Sequence, residues 1–178
     1  SLSLNPENEK CLNELAYIYF ELKKNLDFVR IAKRLVEINN RCETLIALGY
    51  TLFELKLYQN SLKYLKKALF QSPQNSDILQ IIEAVYEQLK DYPKALEIRK
   101  KIIDTGFNDF QSRVKYVFLL QKAKLKNEAR ILIEALLKEK PGNLKLLSYL
   151  SSSFIETADY HKARKFLTVL SKKYNDKN

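Results

Sequence analysis

Glycine and proline are scarce in this sequence: three and four, respectively, in 178 residues. An all-β protein needs many tight turns, and so few breakers argue against one. Cysteine occurs only at Cys11 and Cys42, which excludes a disulfide-dense secreted scaffold. The two are expected to stay unbonded and to pack as small apolar residues. Histidine occurs once, at His161. With no second histidine and no C-x-x-C spacing, no metal site is expected. All three glycines are isolated, so there is no phosphate-cradling loop, and there is no G-x-S-x-G elbow. No apolar run nears the roughly 20 residues that cross a bilayer; Tyr116-Val117-Phe118-Leu119-Leu120 is far too short. No signal-peptide pattern opens the chain, although a removed upstream targeting segment stays open because the first residue is not methionine.

What remains is 46% hydrophobic and 29% charged, a globular composition rich in the helix formers Leu, Lys, Glu, Ala and Gln. The net charge is +10, unevenly spread. Residues 110–178 carry fifteen Lys or Arg against six Asp or Glu, a balance of +9. Residues 76–109 carry five against seven, and residues 1–75 eleven against eight. The basic end reads either as a solvated Lys-rich surface or as a face for an acidic or nucleic-acid partner.

The chain aligns on itself at a shift of 34. Small residues recur at Ser61, Ala95, Ala129 and Ala163, preceded three residues earlier by an aromatic at Tyr58, Tyr92 and Tyr160. Pro-x-Asn closes two of the segments, at Pro73-Gln74-Asn75 and Pro141-Gly142-Asn143. Within residues 42–75 the pattern runs Leu45, Leu48-Gly49, Leu52, Tyr58, Ser61, Tyr64-Leu65, Ala68-Leu69 and Pro73. In this order and spacing the segment resembles the tetratricopeptide repeat family. The resemblance covers nearly the whole chain and implies an all-α fold, a right-handed superhelical solenoid of antiparallel helix pairs. Five repeats are expected, at 9–41, 42–75, 76–109, 110–143 and 144–177, forming one continuous domain, with residues 1–8 as the tail of a preceding repeat. Each repeat should hold one helix at about repeat positions 2–14 and a second at 18–31. The first repeat is one residue short: Leu12, Leu15-Ala16 and Tyr19 precede their counterparts by 33. Phe28 stands where its second helix should have a small residue.

Two features of the array carry structural expectations. The third repeat has Glu83 where close helix contact wants Gly or Ala, and Arg99 where Leu65, Ile133 and Leu167 stand elsewhere. The two positions lie opposite each other in a hairpin, so a hidden ion pair is expected. The SLSLNPEN start and the apolar Phe166, Leu167, Val169 and Leu170 suggest an array cut from a longer chain, with apolar surface left on the last helix.

For function, the family resemblance implies a protein-interaction scaffold, not an enzyme, and no cofactor. Carboxylates four apart, such as Glu83 and Glu87, read more simply as solvated charge than as an acid–base pair. Family geometry turns positions 2, 5, 9, 12 and 13 of each first helix to a concave groove. That predicts Asn13, Tyr17, Phe20, Ile46, Tyr50, Phe53, Gln80, Val114 and Phe118 as partner-binding residues. The equivalent pairs Tyr17/Tyr50 and Phe20/Phe53 would form an apolar shelf for an amphipathic helix or extended peptide, unless the rings pack between helices as core. The family's carboxylate clamp for chaperone C-terminal tails needs Lys and Asn, then Asn, then Lys and Arg on three successive first helices. The first three repeats offer Asn13 and Tyr17, Ala47, then Asp77 and Ile81. The next set offers Ile46, Tyr50, Ile81, Gln111 and Lys115, and the last Gln80, Ala84, Lys115, Lys145 and Tyr149. None fits, so chaperone tails are rejected as partners. A base-reading RNA code is rejected as well, because Ile46 and Val114 interrupt the series Asn13, Ile46, Gln80, Val114, Ser148 and cannot hydrogen-bond a base edge. Non-specific RNA contact through the basic repeats, and self-association through exposed terminal helices, are the alternatives to a peptide partner. The compartment is not legible; a soluble fragment, with the cytoplasm favoured, is the expectation.

Overall fold

A computed structural model describes residues 6–156 and 159–175. Among these residues there are ten helices and no strands. The first helices of four hairpins begin at Cys42, Ser76, Phe110 and Leu144, and the second helices at Tyr58, Tyr92, Lys126 and Tyr160. Both series step by 34 residues, so the sequence period is also the period of the helices. The chain divides into two compact units, Ser1–Thr105 and Gly106–Asn178.

The first unit holds α1 (Pro6–Glu21), α2 (Asn25–Ile38), α3 (Cys42–Glu54), α4 (Tyr58–Gln71), α5 (Ser76–Gln88) and α6 (Tyr92–Asp104). Each helix packs on the next up to α5 and α6, and α3 also touches α5. Helix α1 starts at Pro6, so residues 6–8, expected in the tail of a preceding repeat, are continuous with α1; residues 1–5 lie outside the described residues. Proline suits the first helical turn, where its missing N–H would have had no partner. The second unit holds α7 (Phe110–Lys122), α8 (Lys126–Glu139), α9 (Leu144–Glu156) and α10 (Tyr160–Asn175), again packed in sequence order. Among the described residues no helix is long and apolar enough to cross a membrane.

Side-chain caps begin three first helices at matching positions. Asn75 accepts from the N–H groups of Asp77 and Ile78, Asp109 from Ser112 at 2.7 Å, and Asn143 from Leu146 at 3.1 Å. Each satisfies amides that the helix itself leaves unbonded. Helix α3 lacks this cap; instead Arg41 and Asn39 both reach Glu9 of α1, at 3.0 and 2.8 Å.

The turns inside the hairpins were not legible. Lys23, Lys56, Lys90 and Lys124 all adopt positive φ, between 53° and 62°. At Lys56 the amide donates to Phe53 O, and the next amide, Leu57, donates to Leu52 O, both at 2.8 Å. The same two bonds recur around Lys23, Lys90 and Lys124. This is the left-handed helix stop usually made by glycine, here made four times by lysine.

Repeat positions 8 and 24 face each other inside a hairpin. A Cβ added to Gly49 would lie 2.6 Å from Leu65 Cγ, so α3 and α4 can touch there only without a side chain. Ser61, fully buried, donates to Gly49 O at 2.7 Å. In the next hairpin the same two positions hold Glu83 and Arg99, and their head groups pair at 2.5 Å with side chains 2% and 12% exposed. Glu83 is therefore an inward-facing charge, not the solvated carboxylate that its spacing from Glu87 suggested. Val117 and Ile133 occupy these positions in the second unit's core. Cys11 is exposed, Cys42 is half-buried, and both are free thiols.

Candidate partner-binding surfaces

The predicted binding residues divide by exposure. On α1, Tyr17 is 66% exposed, Phe20 is exposed and Asn13 is half-buried. On α3, Tyr50 is 42% exposed, while Ile46 and Phe53 are half-buried. Gln80 of α5 is exposed. The phenylalanines have internal work: Phe20 packs on Phe28 of α2 at 5.3 Å between centroids, and Phe53 lies 6.0 Å from Tyr58 of α4. Tyr17 and Tyr50, one repeat apart on equivalent positions, form no comparable ring pair among the described residues.

In the second unit Val114 is 2% exposed and belongs to a buried cluster with Val117, Ile133, Leu146 and Leu150. It offers no surface to a partner, and its place among the binding residues is corrected. The same repeat position is half-buried or exposed on the other first helices. Val114 shares that cluster with Leu146 and Leu150 of α9.

Phe118 is half-buried and lies in a cationic setting that its sequence position alone did not reveal. Lys115, one turn before it, and Lys122, one turn after it, hold their ammonium groups 5.4 and 5.5 Å from its ring centroid. The i−3 and i+4 spacing of the two lysines was the signal available in the sequence. Phe118 lines a cavity of about 270 Å³ with Lys122, Lys126, Tyr149, Ser152 and Glu156 among its walls. Lys126 and Glu156 pair across it at 2.7 Å, and Gln121 Nε2 donates to Tyr149 O at 3.3 Å, tying α7 to α9. Burial pushes the Tyr149 phenol above its ordinary value.

The last helix keeps apolar surface: Leu167 and Val169 are exposed and Phe166 is half-buried, stacked on Phe154 at 5.8 Å. Leu170, the fourth apolar residue expected there, lies outside the described side chains. His161 is exposed, and among the described residues no group of three His, Cys, Asp or Glu is placed to hold a metal.

No protein-family model matches the chain, and no curated protein matches it. Solved structures do. A crystal structure of the MamA protein superposes with a TM-score of 0.77 at 16% identity, over 97% of this chain and 95% of that one. MamA from Desulfovibrio magneticus RS-1, residue 41 to its end, gives 0.73 at 16%, over 96% and 97%. MamA of strain MSR-1 gives 0.73 at 13%, over 96% and 98%. MamA is a TPR-like helical solenoid. The chain has that fold: an all-helical solenoid of repeated helix pairs. At such identities the likeness carries architecture and no residue-level function.

Proposed function

We propose that the chain is a tetratricopeptide-type interaction scaffold that binds a peptide or helix of a protein partner on the accessible faces of its first helices. The observation that carries this reading is the pair Tyr17 and Tyr50. They occupy equivalent positions on α1 and α3, and both remain exposed. Such rings supply contact area at low entropic cost, with a hydroxyl to bond a ligand's backbone. The helical-repeat fold suits this use, since stacked hairpins present a surface that is long for their size. Selection of a random-peptide phage library on the protein tests it. Selected peptides should bind Tyr50→Ala more weakly by about 1–3 kcal/mol, with helical content unchanged. Selected peptides that bind Tyr17→Ala and Tyr50→Ala normally, or a Tyr50→Ala variant that unfolds, would remove the tyrosines from the binding face.

Self-association is a second reading, favoured by the exposed Leu167 and Val169 of α10 and by the exposed Leu22 and Leu26 around the first hairpin turn. Sedimentation across a concentration series separates the two, because a scaffold for other chains stays monomeric.

A further inference from the structure

The cavity bounded by α7, the start of α8, and α9 has a chemistry of its own. Its aromatic members, Phe118 and Tyr149, are both half-buried, whereas Lys122, Lys126, Ser152 and Glu156 are exposed at its edge. Its volume, about 270 Å³, lies just below the roughly 300–1,000 Å³ of small-molecule sites. It suits one or two inserted side chains better than a whole metabolite.

Charge narrows the occupant further. Lys115 and Lys122 flank the Phe118 ring, and Lys126 stands on the far side of the cavity. Within the lining one carboxylate, Glu156, faces two cations, Lys122 and Lys126. Its pair with Lys126 is half exposed on both sides, at 50% and 54%, and exposed pairs of this kind contribute little. A second carboxylate can therefore join or displace Glu156 at small cost.

We propose that this cavity binds an acidic peptide segment, with an apolar side chain entering against Phe118 and Tyr149 and an adjacent carboxylate bridging Lys122 and Lys126. The proposal rests on the interaction-scaffold reading and names the chemistry of the partner in the second unit. Tyr149 fits the role: its phenol, protonated near neutral pH as any tyrosine is and pushed further up by burial, can donate to an anion. A peptide side chain suits the cavity's volume of about 270 Å³ better than a nucleotide with its base, sugar and phosphate.

Fluorescence anisotropy on the whole protein tests this with three labelled probes: a short peptide alternating glutamate and leucine, its glutamine–leucine counterpart, and an oligouridylate. The glutamate peptide should bind at least about tenfold more tightly than the glutamine peptide, and more weakly as salt rises. Lys122→Glu changes an exposed side chain and leaves the fold intact; it should weaken the glutamate peptide at least about tenfold. Phe118→Ala should do the same with unchanged circular dichroism. If Phe118→Ala unfolds, Lys122→Glu still decides. Lys67→Glu, an exposed change on α4 outside both surfaces, should leave this binding unaltered. Equal affinity for the two peptides, an oligouridylate that binds more tightly than either, or a silent Lys122→Glu would each overturn the proposal. A silent Lys122→Glu alongside loss of phage-selected binding in Tyr50→Ala leaves the scaffold reading standing and removes only this cavity. If both variants are silent, both readings fall.

Discussion

The Glu83–Arg99 pair can be exchanged for a solution that the same chain already uses. At the equivalent positions the chain has Gly49 with Leu65 in one hairpin and Val117 with Ile133 in another, all buried. The double variant Glu83→Val/Arg99→Ile therefore transplants a pairing of known fit. The single variants behave differently from the double one, because each leaves one charge in a nearly dry place. Removing one partner of a buried pair typically costs about 3–5 kcal/mol. Arg99→Ile should sit at the upper end, since it strands a carboxylate whose side chain is 2% exposed. Glu83→Val should sit at the lower end, because Arg99, at 12%, has a long stem that can carry its head toward water.

In the double variant both desolvation costs disappear together. Apolar replacements of buried pairs range from neutral to about 1–4 kcal/mol stabilising. The smaller Val and Ile volumes leave some space unfilled, which offsets part of that gain. The double variant should fall within about 2 kcal/mol of the parent, giving a coupling energy of at least about 3 kcal/mol from the cycle. Urea unfolding followed by circular dichroism measures all four proteins. The single-variant losses should also hardly respond to salt, since a buried pair is weakly screened. Two single variants each costing under about 1 kcal/mol would show a pair that is in effect solvated. A double variant as unstable as the sum of the singles would show no coupling. Either result refutes the reasoning.

Other consequences follow from the turns, caps and surface pairs. Lys56→Gly should stabilise by up to about 1 kcal/mol, seen as a higher Tm, because a side chain at φ 60° costs roughly 1–2 kcal/mol, part of which glycine gives back in chain entropy. Asp109→Ala should cost about 0.5–2 kcal/mol by freeing the Ser112 amide at the start of α7. The hydrogen bond from Lys94 holds the Asp91 carboxyl below its ordinary value, and Lys162 does the same for Asp159. Their contributions are complete above the ordinary carboxylate range of about 4 and vanish as pH falls through the lowered folded-state values. Asp91→Asn/Asp159→Asn should therefore lose less stability on acidification than the parent, in urea midpoints measured from pH 6 downward.

How much of this was legible depends on where each residue points. Period 34 recovered the helix pairs, because buried small and large residues must recur wherever successive hairpins meet in the same way. Glu83 and Arg99 were readable as partners for the same reason: two charges replaced two packing residues at facing positions. The hairpin turns were opaque because lysine carries no turn signal, and the left-handed residue is fixed by the helix-stop hydrogen bonds around it. Val114 was misplaced because position 5 sits near the boundary between the buried and open sides of a first helix: it joins a buried cluster with Leu146 and Leu150, whereas Ile46, with Ile78 and Ile82 in the equivalent places on the next first helix, stays half-buried.

Departure from the repeat is therefore an ambiguous sign of function until burial is known. Glu83 and Arg99 depart most sharply from the pattern, yet they face each other inside a hairpin and carry a structural charge pair. Lys122 and Tyr149 look unremarkable in the alignment, yet one stands exposed at a cavity and the other lines it half-buried. Tyr17 and Tyr50 obey the pattern and stay exposed, where the equivalent Ala84 is small and half-buried. Residues that agree between repeats and face inward specify the solenoid. Residues that face outward are released from that constraint whether or not they repeat, and partner choice has to be written in them. Under the proposed reading, recognition falls on α1, α3 and the α7–α9 cavity, and the most unusual charge pair, buried inside a hairpin, lies outside it.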